Sequence, residues 1–236
     1  PHHIEKKGYY NQQPKNASLT QKTKILFVVH NFPPEWYAGV EVYTYCLARV
    51  LLKRGHEVSV LYPSLNSDMK SSSPILEKKN YRSINVYRIL VNSNINDSEI
   101  EKVFIQLIKD IKVSIVHFEH IQFLPFSLLK IAKELGCIVC LTLHDFWFIC
   151  PRTHLYIEKT NTVCEGPETV DKCVHCMLMD FPDKPNLVQK ASFYYNLAYR
   201  SEYVKLIFHN VDFISAPSKF LAEKYIRYGY GKNKIK

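Results

Sequence analysis

Histidines and carboxylates close three hydrophobic runs of this 236-residue chain. His30 and Asn31 follow KILFVV, His117, Glu119 and His120 sit in IVHFEH, and His144 and Asp145 follow LTL. Imidazoles beside carboxylates are the groups used in general acid–base chemistry, and they also bind sugar hydroxyls. A histidine taken alone is more often a packed core residue. Repetition at three matching positions favours a shared site. His144 and Asp145 are neighbours in sequence, which does not by itself put their side chains in contact.

A second set of reactive residues follows. Cys150, Cys164, Cys173 and Cys176 are separated by 13, 8 and 2 residues. The terminal Cys-x-x-Cys spacing is common in zinc sites, and four thiolates would make a closed structural Zn²⁺ centre with no position left for water. His154 and His175 are alternative ligands. Disulfides such as Cys150–Cys164 and Cys173–Cys176, or free thiols, also fit the spacing. A thioredoxin-like redox pair fits poorly, because Cys173–Cys176 does not follow a strand at the start of a helix. Cys46, Cys137 and Cys140 lie in or beside periodic apolar segments and read as core. Seven cysteines, an odd number, in an α/β pattern indicate a reducing, cytoplasmic compartment.

The elements that must position these groups alternate along the chain. Lys24–His30 is a buried strand, and Gly39–Arg54 carries a helical stripe of Val42, Cys46, Leu47, Val50 and Leu51 closed by Gly55. Glu57–Tyr62 is the next strand, which completes a βαβ unit and the opening of a parallel sheet. Pro63–Asn80 reads as a polar loop and Ile84–Val91 as a strand that is antiparallel or at an edge. A helix over Asp97–Asp110, a strand over Val113–Phe118, a helix over Phe123–Leu135 and a strand over Ile138–Leu143 follow. About 145–185 is an irregular, cysteine-rich insertion. An amphipathic helix over Leu187–His209, a strand at Asp212–Ser215 and a helix over Lys219–Arg227 capped by Ser218 complete the pattern. The fold class is therefore α/β, a doubly wound, mostly parallel, Rossmann-like sheet. It spans residues 23–236 behind a flexible arm or linker over 1–22. In such sheets the carboxyl ends of the strands face one crevice, which places the three histidine-bearing ends on the same rim.

Composition removes several function classes. No stretch of 18 apolar residues is present, so a membrane span is not expected. The net charge is +9, but the lysines form no dense tract, so nucleic acid is not the expected partner. The N-terminus shows no signal-peptide pattern. The loop Asn31–Glu41 lacks both G-x-G-x-x-G and the P-loop lysine, and no G-x-S-x-G elbow occurs. What remains is a helix start at Gly39–Glu41, whose free N–H groups can hold an anion. Gly39 either lets a ligand approach the backbone or relieves packing at the turn, and Glu41 is also favourable there simply as a capping charge.

KILFVVHNFPP, AGVEVYTYCLARVLLKRGHEVSVLYP, IVHFEH, LTLHDFWFICPR and DFISAPSKFLAEKY, in this order and spacing, resemble the N-terminal domain of retaining nucleotide-sugar glycosyltransferases of group 1 (family 4). The resemblance covers about 24–236. It implies a GT-B architecture of two facing Rossmann-like domains, in which this one binds the acceptor. A nucleotide-diphosphate sugar is then the cosubstrate, with a glycan or lipid-linked hydroxyl as acceptor. No catalytic cofactor is implied, and the diphosphate is neutralised by side chains and helix termini. His144 matches the family histidine near the transferred sugar, and Asp145 is expected to orient the loop or bind acceptor. Gly39 and Glu41 match the glycine turn, where Ala38 replaces the usual first glycine. His117, Glu119 and His120 match a polar segment facing the acceptor, and Arg152 belongs to a Cys-Pro-Arg that recurs beside a cysteine-rich lobe. The cysteine zinc would be structural. The chain is expected to end where a second, donor-binding domain begins, and to be inactive without it. The basic charge and the aromatic helix Leu187–His209 would suit peripheral contact with the inner face of a membrane, although packing of that helix into the core is the simpler reading. A non-catalytic glycan- or protein-binding relative of the same fold is the alternative. An epimerase is disfavoured, since Tyr228 and Lys232 have its Tyr-x-x-x-Lys spacing only in a glycine-containing tail.

Overall fold

A computed structural model describes residues 22–181, 185–231 and 233–235, so the arm expected over 1–22 lies, save for Lys22, outside the described residues. The opening βαβ unit forms, but its helix buries Glu41, Thr44 and Ala48, whereas Val42, Cys46 and Val50 of the expected stripe are exposed and Cys46 is not a core residue. In β1 (Lys24–Val28) and just beyond it, Ile25, Phe27 and Val29 enter one hydrophobic core while Leu26 and Val28 enter another. That period-two division sends alternate side chains to opposite faces of a sheet buried on both sides. α1 (Gly39–Lys53) lies over the first core and ends at Gly55, whose φ of 89° belongs to the left-handed region that glycine adopts without strain. β2 (Glu57–Leu65) runs parallel to β1, with Leu26 opposite Ser59.

The next two strands differ from expectation. β3 (Ile75–Tyr81) is a full strand inside the segment expected to be a loop, and it pairs antiparallel with β4 (Ile84–Val91) at the edge of the sheet. β4 is interior and parallel to β2. β3 reads as a loop because its ILEKKNY sequence is solvent-facing on both sides and lacks the alternation that marks a half-buried strand.

α2 (Asp97–Ile111) is capped by Asn96, whose side chain accepts from the Glu99 N–H. β5 (Ile115–Phe118), α3 (Ser127–Glu134) and β6 (Ile138–Thr142) follow. The insertion contains a two-stranded ribbon, β7 (Tyr156–Ile157) with β8 (Thr162–Val163). It also contains α4 (Val170–Leu178), capped by Thr169, so the segment is not irregular throughout. α5 (Leu187–Phe208) begins with a reciprocal Asn186–Gln189 capping box. β9 (Phe213–Ser215) and α6 (Lys219–Arg227), capped by Ser218, close the fold.

The strand order is β3-β4-β2-β1-β5-β6-β9, with every pairing parallel except β3–β4. Coverage of the two faces is uneven. Residues of α2, α3, α5 and α6 fill the larger core, whereas α1 serves the other. On the α1 side, Ile138 of β6 and Phe213 of β9 remain 44% and 51% exposed. α5 is only partly the amphipathic helix expected. Val204, Ile207 and Phe208 are buried near its end, but Leu187, Val188, Tyr195 and Tyr199 stand exposed.

Candidate active site

The three polar strand ends converge. Parallel pairing of β1 with β5 and of β5 with β6 brings the residues beyond Val28, Phe118 and Thr142 to one rim. His30 and His120 face each other with ring centroids 4.5 Å apart. His144 Nε2 lies 2.8 Å from Glu119 Oε2, and His117 Nε2 lies 3.6 Å from Glu119 Oε1. His120 Nε2 is 3.2 Å from Asp145 Oδ2. The sequence neighbours His144 and Asp145 thus take different partners, each reaching back to the β5 end. His117 also contacts the Thr142 hydroxyl at 2.8 Å, and Thr142 in turn contacts Ser215 at 3.0 Å.

Burial sorts these groups into an accessible rim and a hidden layer. Glu41 and Glu119 have fully buried side chains, and that of His120 is nearly so. The Asp145 side chain is about a third open, at 36%, with His30, His117 and His144 between these extremes. Glu119, read from sequence as a substrate-facing group, therefore sits beneath two histidines. Glu41 likewise sits beneath His30, whose Nε2 is 3.1 Å from Oε1, although neither Glu41 oxygen is placed to accept a hydrogen bond. Tyr43 of α1, which sequence reasoning passed over, packs edge-on to His144 at 5.1 Å and is 44% exposed. Its position four residues after Gly39 on a helix starting at the rim was the available signal.

The electrostatics follow from this layering. Burial, reinforced by the charge of His120, pulls His30 from its ordinary 6.5 down to about 4. Burial also lowers His117, against the opposing pull of Glu119. For Asp145, burial acts upward, but the His120 hydrogen bond and charge, with the Trp147 N–H, hold the carboxyl below its usual range. His30 gives a pH test. Its folded value lies below the unfolded one, so the unfolded chain takes up the proton first as the solution is acidified. Its contribution to stability is complete above about pH 6.5 and is lost as the pH falls towards about 4. His30→Gln is expected to flatten the decline of Tm across that window; slopes equal to wild type would refute this assignment.

α1 begins at the edge of this rim. Ala38 precedes it in an extended conformation without a side-chain cap, so the first N–H groups of the helix have no side-chain acceptor. A Cβ built on Gly39 meets no atom within 4 Å, which leaves space in front of this turn.

Arg152 is not part of the cluster. Its Nε is 3.2 Å from Cys176 Sγ, and Nη2 donates to the Cys176 carbonyl at 2.6 Å and to Asp180 at 2.6 Å. The guanidinium thus ties together the cysteine-rich lobe rather than the rim. The four cysteines do come together, since Cys150, Cys164, Cys173 and Cys176 all line one small, largely apolar cavity. All four are free, with Cys173 and Cys176 one turn apart on α4. Burial, with the neighbouring thiols, pushes Cys173 up to about 11, and burial likewise raises Cys150. Among the described residues, however, no group of three or more His, Cys, Asp or Glu side chains has the arrangement of a metal site. Polar contacts join the lobe to the body, with Lys224 bonded to Glu165 and the Tyr228 hydroxyl donating to the Glu165 carbonyl, each at 2.6 Å.

Comparison with known proteins bears on this arrangement. Residues 37–236 match the family described as Glycosyltransferase Family 4. No curated protein matches the chain. Among solved structures, an α,α-trehalose-phosphate synthase (UDP-forming) from Burkholderia xenovorans in complex with glucose-6-phosphate aligns at 9% identity and a TM-score of 0.48, over 87% of this chain and 42% of that one. The catalytic domain of starch synthase IV from Arabidopsis thaliana, bound to ADP and acarbose, aligns at 10% identity and 0.47, over 91% of this chain and 51% of that one. The chain therefore spans about half or less of these matched structures.

Proposed function

The chain belongs to glycosyltransferase family 4 and carries a Rossmann-like GT-B domain, and from that premise we propose that it is the acceptor-side half of a retaining transferase. The reaction moves a sugar from a nucleotide-diphosphate donor to an acceptor hydroxyl with its anomeric configuration kept. A second domain binds most of the donor. The observation that carries this reading is the cluster itself, four histidines and two carboxylates at the carboxyl ends of three parallel strands, with Glu41 of α1 beneath His30, beside the open N-terminus of that helix.

Roles follow from accessibility. In the tautomer whose Nε2–H donates to Glu119, the Nδ1 of His144 is the remaining acceptor of the ring. His144 can then take a hydroxyl of the transferred sugar, and Asp145, the more open carboxylate, can take an acceptor hydroxyl. His117 and His120 support these groups from the end of β5, His117 on the Thr142 hydroxyl and His120 between Asp145 and the Gln122 N–H, and the diphosphate faces the N–H groups of α1 near Gly39. Gly39→Ala tests the last point. No protein atom opposes the added methyl, and alanine is the better helix former by up to about 1 kcal/mol. The expected result is an unchanged or raised Tm with a higher KM for donor; an unaltered KM removes the diphosphate from this turn.

The deciding experiment incubates the full-length protein with a panel of nucleotide-diphosphate sugars and candidate acceptors, and determines the anomeric configuration of the product by NMR. A retained anomer is expected. An inverted product refutes the mechanism, and glycan binding with no turnover of any donor supports a non-catalytic relative instead. The cysteine lobe is read as a thiol cluster able to close on structural Zn²⁺ in a reducing, cytoplasmic compartment. Metal analysis of untagged protein is expected to give one zinc per chain and none after Cys173→Ser; four reactive thiols without zinc end that part of the proposal. Among the described residues no helix is long and apolar enough to cross a membrane. The exposed Leu187, Val188, Tyr195 and Tyr199 of α5 are the surface we assign to an inner-leaflet membrane carrying a lipid-linked acceptor. Co-sedimentation with anionic vesicles is expected and should fall in Tyr195→Ser; equal sedimentation overturns that assignment.

A further inference from the structure

A second concave site lies outside the histidine cluster. It is a cavity of about 310 Å³ between the cysteine-rich lobe and α5, near the lower end of small-ligand pockets. Phe148, Ile149, Leu197 and Tyr230 contribute apolar wall, while Arg200, Ser201 and Lys205 contribute donors.

Arg200 is the informative residue. Its guanidinium lies over the Trp147 ring at 4.9 Å and over the Phe126 ring at 5.5 Å. Two of its five N–H groups donate to the carbonyls of Trp147 and Phe148. Among the described residues no carboxylate comes within ion-pair distance of it. The acids of the cavity are already matched, because Glu202 holds Lys205 at 2.6 Å and Glu168 holds Lys172 at 3.2 Å. One partly buried positive charge that lines the cavity is left without a carboxylate. A buried charge without a counter-charge is costly, and an anion entering this cavity would remove that cost.

We propose that this cavity binds a small organic oxyanion of about monosaccharide size, its phosphate or carboxylate held by Arg200 and Lys205 and its body resting on the apolar wall. The site does not depend on the transfer reading, since Trp147 separates it from the cluster. Arg200 packs near one side of that ring, and His120 approaches it with ring centroids 5.8 Å apart.

Trp147 serves as the reporter. The intact protein is titrated with inorganic phosphate and, separately, with acetate, while tryptophan fluorescence is followed. A saturable change is expected with at least one of the two anions, and the stronger one identifies the head group. The change should disappear in Trp147→Phe, and affinity should drop roughly tenfold in Lys205→Gln, which sits on the partly open helix surface. Arg200→Gln should abolish binding. If that variant unfolds, Lys205→Gln and the charge-removing Glu202→Gln, expected to tighten binding, still decide the matter. No saturable change with either anion, or equal affinity in wild type, Lys205→Gln and Glu202→Gln, would overturn the proposal. Transfer activity is not a readout here, so failure of this site leaves the reading of the histidine cluster untouched.

Discussion

Replacing His144 by alanine is expected to lower kcat of the intact transferase by roughly 10²–10³-fold, the scale of losing one preorganised polar group at a reacting centre. The argument is geometric. His144 sits at the carboxyl end of β6 with Nε2 anchored to a fully buried carboxylate at 2.8 Å, which fixes the ring and leaves the other nitrogen for substrate. Tyr43 closes the ring edge at 5.1 Å. A group held this firmly needs little reorganisation as charge develops, so its removal should appear in kcat more than in the KM for donor. Steady-state kinetics with Tm recorded alongside provide the check. A His144→Ala enzyme that keeps wild-type kcat would move the chemistry elsewhere on the rim.

The second large effect belongs to Glu119. It touches no solvent, so it acts through His144 and His117 as a positioning residue. Glu119→Gln keeps the shape and removes the charge. One amide oxygen can still accept from His144, but the other position becomes a donor facing His117. Turnover is expected to fall about tenfold or more, with an altered pH profile of kcat. In a His144→Ala background the same change should cost little further, because both act on one ring and such effects are not additive. Additive losses would separate the two residues. Glu119→Ala goes further, opening a hole beneath two imidazoles and leaving the His144 Nε2 without its partner, while His117 keeps the Thr142 hydroxyl. A loss of about 2–4 kcal/mol in stability is expected by chemical denaturation.

Much of this was legible in the sequence, for identifiable reasons. β1, α1, β5 and β6 carry clear periodicity, and parallel topology alone requires their polar ends to meet. Pairing within the cluster was not legible. Adjacent residues at a strand end diverge, so His144 found Glu119 and Asp145 found His120, each 25 residues back in the chain. Burial depth was equally hidden, since nothing in IVHFEH distinguishes the buried Glu119 from an exposed acid. β3 escaped because an edge strand with Glu77, Lys78 and Lys79 has no buried face to reveal it. α4 escaped because its cysteines suggested a lobe held by metal or thiol bonds, whereas Thr169 caps an ordinary short helix there. Arg152 was misplaced because proximity to the rim in sequence says nothing about which way a long side chain turns.

Tyr225 gives the fold a mechanical property. From the last turn of α6 its hydroxyl donates to the Asp145 carbonyl at 2.9 Å and accepts from the Phe148 N–H at 3.3 Å. Burial raises this phenol well above its ordinary value, so the link stays neutral across the working pH range. The two ends of this strut are about 80 residues apart in sequence but rigidly joined in space. Any torque applied to α6 is therefore passed to the loop that carries Asp145, and with it to the rim of histidines and carboxylates at the strand ends.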